Sequence, residues 1–129
     1  MKTRHYDHID LRVKDVERAK KFYAPVLKEL GFTVDTSNEW WACFEVPRTG
    51  SELPAMFAFT HDPNHKPNAT RIAFWADSRE EVDCVAVVAR AAGALNIEGP
   101  EPYSPEEPNY YAVFFEDPEG NRLEVCCRK

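Results

Sequence analysis

Apolar and polar residues alternate along His8–Asp15, HIDLRVKD, with Ile9, Leu11 and Val13 on one side and His8, Asp10 and Arg12 on the other. A period of two over this length predicts a strand across residues 7–13. The spacing then changes. After a capping aspartate at Asp15, the residues Val16, Ala19, Phe22, Tyr23, Val26, Leu27 and Leu30 recur at helical intervals, and Gly31 suits the position just past the helix end. Pro25 lies inside this run and is expected to kink or break the helix. Short strands are predicted near 32–36 and 40–46, and a further one over 53–60. Residues 61–69 contain two prolines, two asparagines and an aspartate, and read as a linker.

The pattern then restarts. RIAFWAD, 71–77, reads as a strand, and SREEVDCVAVVARAAG as a helix with Ser78 and Glu81 forming a capping box. Val82, Val85, Ala86, Ala89 and Ala92 form its inner stripe, and Gly93 ends it. A short strand is predicted at 94–97. The proline- and acid-rich run 98–109 is expected to be a loop or a lid, carrying Tyr103. YYAVFFED at 110–117 and NRLEVCCR at 121–128 read as strands joined by a turn at Pro118–Gly120.

The chain therefore contains one arrangement twice. His8 stands seven residues before the helix cap Asp15, and Arg71 stands seven residues before the cap Ser78, an offset of 63. Each half supplies one helix and about four strands, too little to cover a sheet on both faces, so the halves should share a core within the chain or with a partner chain. The expected organisation is a single domain over 1–129, with module one at about 6–60, a linker at 61–69 and module two at about 70–128.

Composition narrows the function. At 129 residues, 43% hydrophobic and 12% aromatic, the chain can bury a core. A net charge of −6 without a basic run speaks against nucleic acid or an anionic membrane as partner. No signal-like or membrane-spanning stretch is present in the sequence, which gives the expectation of a cytoplasmic protein. Cys43, Cys84, Cys126 and Cys127 form no CxxC pair and read as reduced, mostly buried thiols. There is no GxSxG, no glycine-rich phosphate loop and no HExxH.

Parity places Arg71, Ala73 and Trp75 on one strand face, and Arg122, Glu124 and Cys126 on another. Trp40, Trp41, Phe57, Phe59, Tyr110 and Tyr111 are further wall candidates for a pocket suited to a small, partly apolar, oxygen-bearing molecule.

HIDLRVKDVERAKKFYAPVLKELGF at 8–32, RIAFWADSREEVDCVAVVARAAGA at 71–94 and, most specifically, FFEDPEGNRLEV at 114–125 resemble the vicinal oxygen chelate superfamily, the group of glyoxalase I, bleomycin-resistance proteins and extradiol dioxygenases. The resemblance implies an α+β fold of two tandem βαβββ modules, with a cup-shaped mixed sheet and the helices on its outer face. It implies a small-molecule substrate or ligand and a homodimer. It further implies metal ligands on the first and last strands of each module. His8 and Glu124 match two such positions, Arg71 takes a third, and 56–60 offers no ligand for the fourth.

Two functions follow. In one, His8 and Glu124 hold a divalent zinc, nickel, manganese or iron ion with a third ligand from Glu45, His5, His61 or a partner chain. Glu124 would then move protons in lyase, isomerase or dioxygenase chemistry. In the other, the protein binds its ligand without metal, as bleomycin-resistance proteins do. Arg71, whose guanidinium has no lone pair to donate, then replaces a ligand and takes a carboxylate or phosphate. The ligand-binding set in either case is Arg71, Asp10, Arg12, Trp75, Trp41, Phe57 and Tyr111. A plain Arg71–Glu124 salt bridge is the structural alternative.

Overall fold

A computed structural model describes Lys2 and residues 4–129. Strand β1 (His8–Val13) leads into helix α1 (Val16–Glu29), then β2 (Val34–Asp35), β3 (Trp41–Glu45) and β4 (Met56–His61). The second module repeats this as β5 (Arg71–Trp75), α2 (Arg79–Ala92), β6 (Leu95–Ser104), β7 (Glu107–Glu116) and β8 (Arg122–Arg128). The strands form two four-stranded mixed sheets, ordered β1-β4-β3-β2 and β5-β8-β7-β6. In each, the first strand runs parallel to the last and the other pairs are antiparallel. The α+β class and the repeated module are as the sequence predicts.

The helices form where the caps and stripes place them. Asp15 Oδ1 accepts from the Arg18 N–H at 3.0 Å, and Ser78 Oγ accepts from Glu81 N–H at 3.1 Å. The Glu81 carboxylate reaches back to the Asp77 N–H at 2.8 Å, one residue earlier than in the usual box. Pro25 does not break α1, which continues to Glu29. Its ring lies on the exposed side, while Phe22, Tyr23, Val26 and Leu27 around it are fully buried. Apolar packing on both sides of the proline outweighs the lost backbone bond.

The larger departure is at 98–109. This segment is not a loop or lid. It forms most of β6, the β6–β7 turn and the start of β7. β6 is an edge strand interrupted by register shifts, and an edge tolerates prolines that lack a donor.

The helix-facing sides of both sheets share one core. Phe57 packs on Phe74 with ring centroids 5.3 Å apart, and Phe22 meets Phe115 at 6.3 Å. The opposite sides, with His8, Asp10 and Arg12 on β1 and Arg71, Ala73 and Trp75 on β5, are exposed.

A polar clasp joins the modules. The turn Asp117–Asn121 belongs to module two, yet its side chains hold module one. Asp117 is 1% exposed, and its Oδ2 accepts from Tyr23 Oη at 2.6 Å and Asn121 Nδ2 at 2.8 Å. Its Oδ1 accepts the N–H groups of Glu119 and Asn121 at 2.9 and 3.0 Å. The Glu119 carboxylate accepts from the N–H groups of Lys14 (2.7 Å) and Asp15 (2.8 Å), where α1 begins and its dipole favours negative charge. Asn121 Oδ1 lies 2.8 Å from His65 Nε2. Burial and the neighbouring Asp117 push the Tyr23 hydroxyl well above its usual pKa, so it stays a donor.

Candidate functional site

The face of module one is polar but largely self-satisfied. His8 Nδ1 lies 2.7 Å from Asp7 Oδ1, and this bond lowers the Asp7 pKa. Asp10 accepts from Thr60 Oγ1 at 2.8 Å and pairs with Arg12 at 2.8 Å. Met56 lies between His8 and Glu45 in the register, which keeps those side chains two strands apart. Trp41 borders a separate cavity of about 510 Å³ with Trp40, Lys14, Lys20 and His61.

Module two's face is more structured. Arg71 and Arg122 are register partners at one end, and Glu124 lies between Ala73 and Phe114 in the middle. Glu124 is 5% exposed, and the Tyr110 hydroxyl donates to its carboxylate. Arg71 lies over the Phe114 ring at 4.9 Å and Arg128 over Tyr110 at 4.4 Å. Tyr103 stacks on Tyr110 at 4.9 Å. Trp75 stands at the other end of β5, 55% exposed, with its indole N–H on Asp77 at 2.9 Å.

The predicted residues are thus divided between faces. Asp10 and Arg12 stand on module one, and Arg71, Trp75 and Glu124 on module two. No strand pairing joins β1 to β5. Phe57 and Tyr111 lie on the opposite side of their sheets. Phe57 is 1% exposed beneath Tyr23, at 5.4 Å, because it shares parity with Phe59 rather than with Ala58. Tyr111 shares parity with the buried Val113 and Phe115, and its hydroxyl donates to Asp83 of α2 at 2.6 Å. Its neighbour Tyr110 takes the place on the face. The same alternation, anchored on Val113 and Phe115, is the sequence signal that would have selected Tyr110 and Phe114. Arg71 and Glu124 form no salt bridge, each being engaged by an aromatic residue of β7.

Within one chain the donor chemistry does not fit a metal ion. Among the described residues no three His, Cys, Asp or Glu side chains converge. Glu124 is already hydrogen-bonded, and Arg71 offers no lone pair. Burial raises the pKa of the Cys43 and Cys126 thiols, which keeps both protonated.

Burial, and then the Glu124 hydrogen bond and charge, raise the Tyr110 pKa to about 12. Folded Tyr110 keeps its proton after the unfolded chain has lost it. Its contribution to stability is therefore complete below pH 10 and disappears as the pH climbs towards about 12. Tyrosinate absorbance of wild type minus Tyr110→Phe should show a late step near that upper value, and Glu124→Gln should move it down. A difference step at the ordinary tyrosine pKa would contradict the bond.

Paired βαβββ modules with a shared core and outward polar faces define the vicinal oxygen chelate class. The chain belongs to the Glyoxalase/Bleomycin resistance protein/Dioxygenase superfamily, whose family model matches residues 5–125. It is similar to a glyoxalase/bleomycin resistance protein from Albidiferax ferrireducens T118, at 26% identity and TM-score 0.77 over 96% of this chain and 98% of that one. The fold is shared by a superfamily enzyme from Burkholderia phytofirmans PsJN (18% identity, TM-score 0.69, 95% and 98% covered). It is also shared by a fosfomycin resistance protein from Mesorhizobium loti (16% identity, TM-score 0.67, 97% and 92% covered). A comparison with curated proteins gives no match. No helix among the described residues is long and apolar enough to cross a membrane.

Proposed function

We propose that this protein binds a small oxygen-bearing molecule on the face of module two without a resident metal. The observation that carries this reading is the Tyr110 hydroxyl on Glu124, the carboxylate that the family resemblance would give to a metal. Arg71 supports it, because its guanidinium lies over the Phe114 ring and makes no salt bridge among the described residues, which leaves donors for a ligand oxygen. Trp75 and the Tyr103–Tyr110 stack supply apolar surface on the same face. A second copy of the chain would bring Asp10 and Arg12 of its own module one towards this face, which is the role we give to a homodimer.

His8 favours a second reading. Asp7 holds Nδ1 and leaves Nε2 as a lone-pair donor, the orientation that metal-bound imidazoles adopt. In that reading a partner's Glu124 would join His8 on a divalent ion, with lyase, isomerase or dioxygenase chemistry.

Metal analysis of protein purified without chelator, followed by divalent-ion titration, separates the two. Wild type should hold far less than one ion per chain. Stoichiometric binding that is lost in His8→Ala and in Glu124→Ala would overturn the metal-free reading.

A further inference from the structure

The end of module two's face carries four formal charges that do not neutralise one another. Arg71, Asn96, Glu98, Phe114, Glu116 and Arg122 line a cavity of about 240 Å³, the volume of roughly eight waters. Arg71 and Arg122 are register partners on parallel strands, so their side chains rise next to each other from one face. Like charges on neighbouring strands repel. Glu116 is the register partner of Arg122 on its other side, an arrangement that normally closes an ion pair. Yet among the described residues neither arginine makes a salt bridge. Glu116 instead accepts from Asn96 Nδ2 at 3.0 Å, and Asn96 reaches it from a left-handed backbone conformation, φ 51°. Arg71 is kept on Phe114, whose other register partner is Glu98.

The two arginines, on β5 and β8, and the two carboxylates, on β6 and β7, thus line one small cavity with no salt bridge among them. A simple anion would satisfy the arginines but would be repelled by the carboxylates, and a simple cation would meet the reverse. A ligand carrying both signs satisfies all four. We infer that this cavity binds a small zwitterion of the α-amino-acid type, with its carboxylate between Arg71 and Arg122 and its ammonium towards Glu98 and Glu116. The inference rests on the reading of the module-two face as a ligand site, and it names the ligand class. Bidentate guanidinium–carboxylate bonds give the orientation, and Phe114 supplies the apolar floor.

Alanine without its ammonium is propionate and without its carboxylate is ethylamine, so the three carry both charges, the anion alone and the cation alone. Calorimetric titration of the full chain in EDTA with each of the three tests the inference. Alanine should bind, and each half-ligand should bind at least about tenfold more weakly, a difference of about 1.4 kcal/mol. Arg122→Gln should weaken alanine at least about tenfold by the same measure. Glu98→Gln should weaken alanine and should not weaken propionate, from which it removes a repelling charge. Propionate binding as tightly as alanine, or alanine giving no heat, overturns the inference. Alanine binding that is indifferent to both variants also overturns it and leaves the metal-free binding function standing. Alanine binding only after a divalent ion replaces EDTA overturns both the zwitterion site and the metal-free function.

Discussion

Asp117→Ala is expected to cost about 3–4 kcal/mol of stability and to lower the melting temperature by roughly 10–15 °C. The carboxylate receives four hydrogen bonds, two from side chains and two from backbone N–H groups. Bonds to a charged acceptor contribute about 1.5–3 kcal/mol each, and a buried donor left without a partner costs about 1–3 kcal/mol. The deletion would strand the Tyr23 hydroxyl in a core where Tyr23 is 0% exposed. It would also loosen the turn that delivers Glu119 to the start of α1. Tyr23→Phe removes one donor and leaves three, so its cost should be smaller, about 1–2 kcal/mol. Urea denaturation of the three proteins measures this order. A loss below about 1 kcal/mol in Asp117→Ala would sink the clasp as a major source of stability. The turn also joins the strand ends that bear Glu116 and Arg122, so loosening it should weaken ligand binding as well.

Gly99→Ala should be nearly as damaging, by about 2–4 kcal/mol, through a different cause. Gly99 has φ +87°, and a Cβ built there would lie 2.6 Å from the backbone oxygen of Ala112 and 3.1 Å from the Glu101 nitrogen. Both contacts are backbone, and the closer one belongs to β7, so its relief requires β6 to move away from β7. Glu98, immediately before Gly99, would move with it and leave the cavity that it lines with Arg71. Thermal melting together with alanine titration should show both losses. Gly50→Ala is the control: its φ is +63°, but nothing lies within 4 Å of the added atom. Equal melting temperatures for the two variants would show that strain alone, and not the β6–β7 contact, sets the cost.

Some of this architecture was legible in the sequence because it is written in local spacing. The alternation of HIDLRV, the cap residues Asp15 and Ser78, the stripes of both helices and the echo of His8 by Arg71 all report backbone geometry within a few residues. Parity also placed Arg71, Trp75, Arg122 and Glu124 on exposed or site-forming faces. Where local spacing misled, a tertiary term decided. Prolines at 100, 102, 105 and 108 made β6 and the start of β7 read as loop, but an edge position removes the cost of their missing donors. Pro25 was tolerated because the packed side of α1 lies opposite it. Phe57 and Tyr111 have the composition of pocket walls, and each is one residue away from the strand position that faces outward.

By itself the sequence determined the two modules, their helices and the faces of β1, β5 and β8. These follow from side-chain periods of two and of 3.6, which need no knowledge of the neighbouring strand. Only the tertiary structure decided which groups meet. Strand register brought the Tyr110 hydroxyl to Glu124, Phe114 beneath Arg71, and Arg122 beside Arg71. The DPEGN turn proved to bind the other module because its carboxylates reach residues about a hundred positions away. Such contacts depend on how two sheets pack, and a one-residue change of register would replace every one of them.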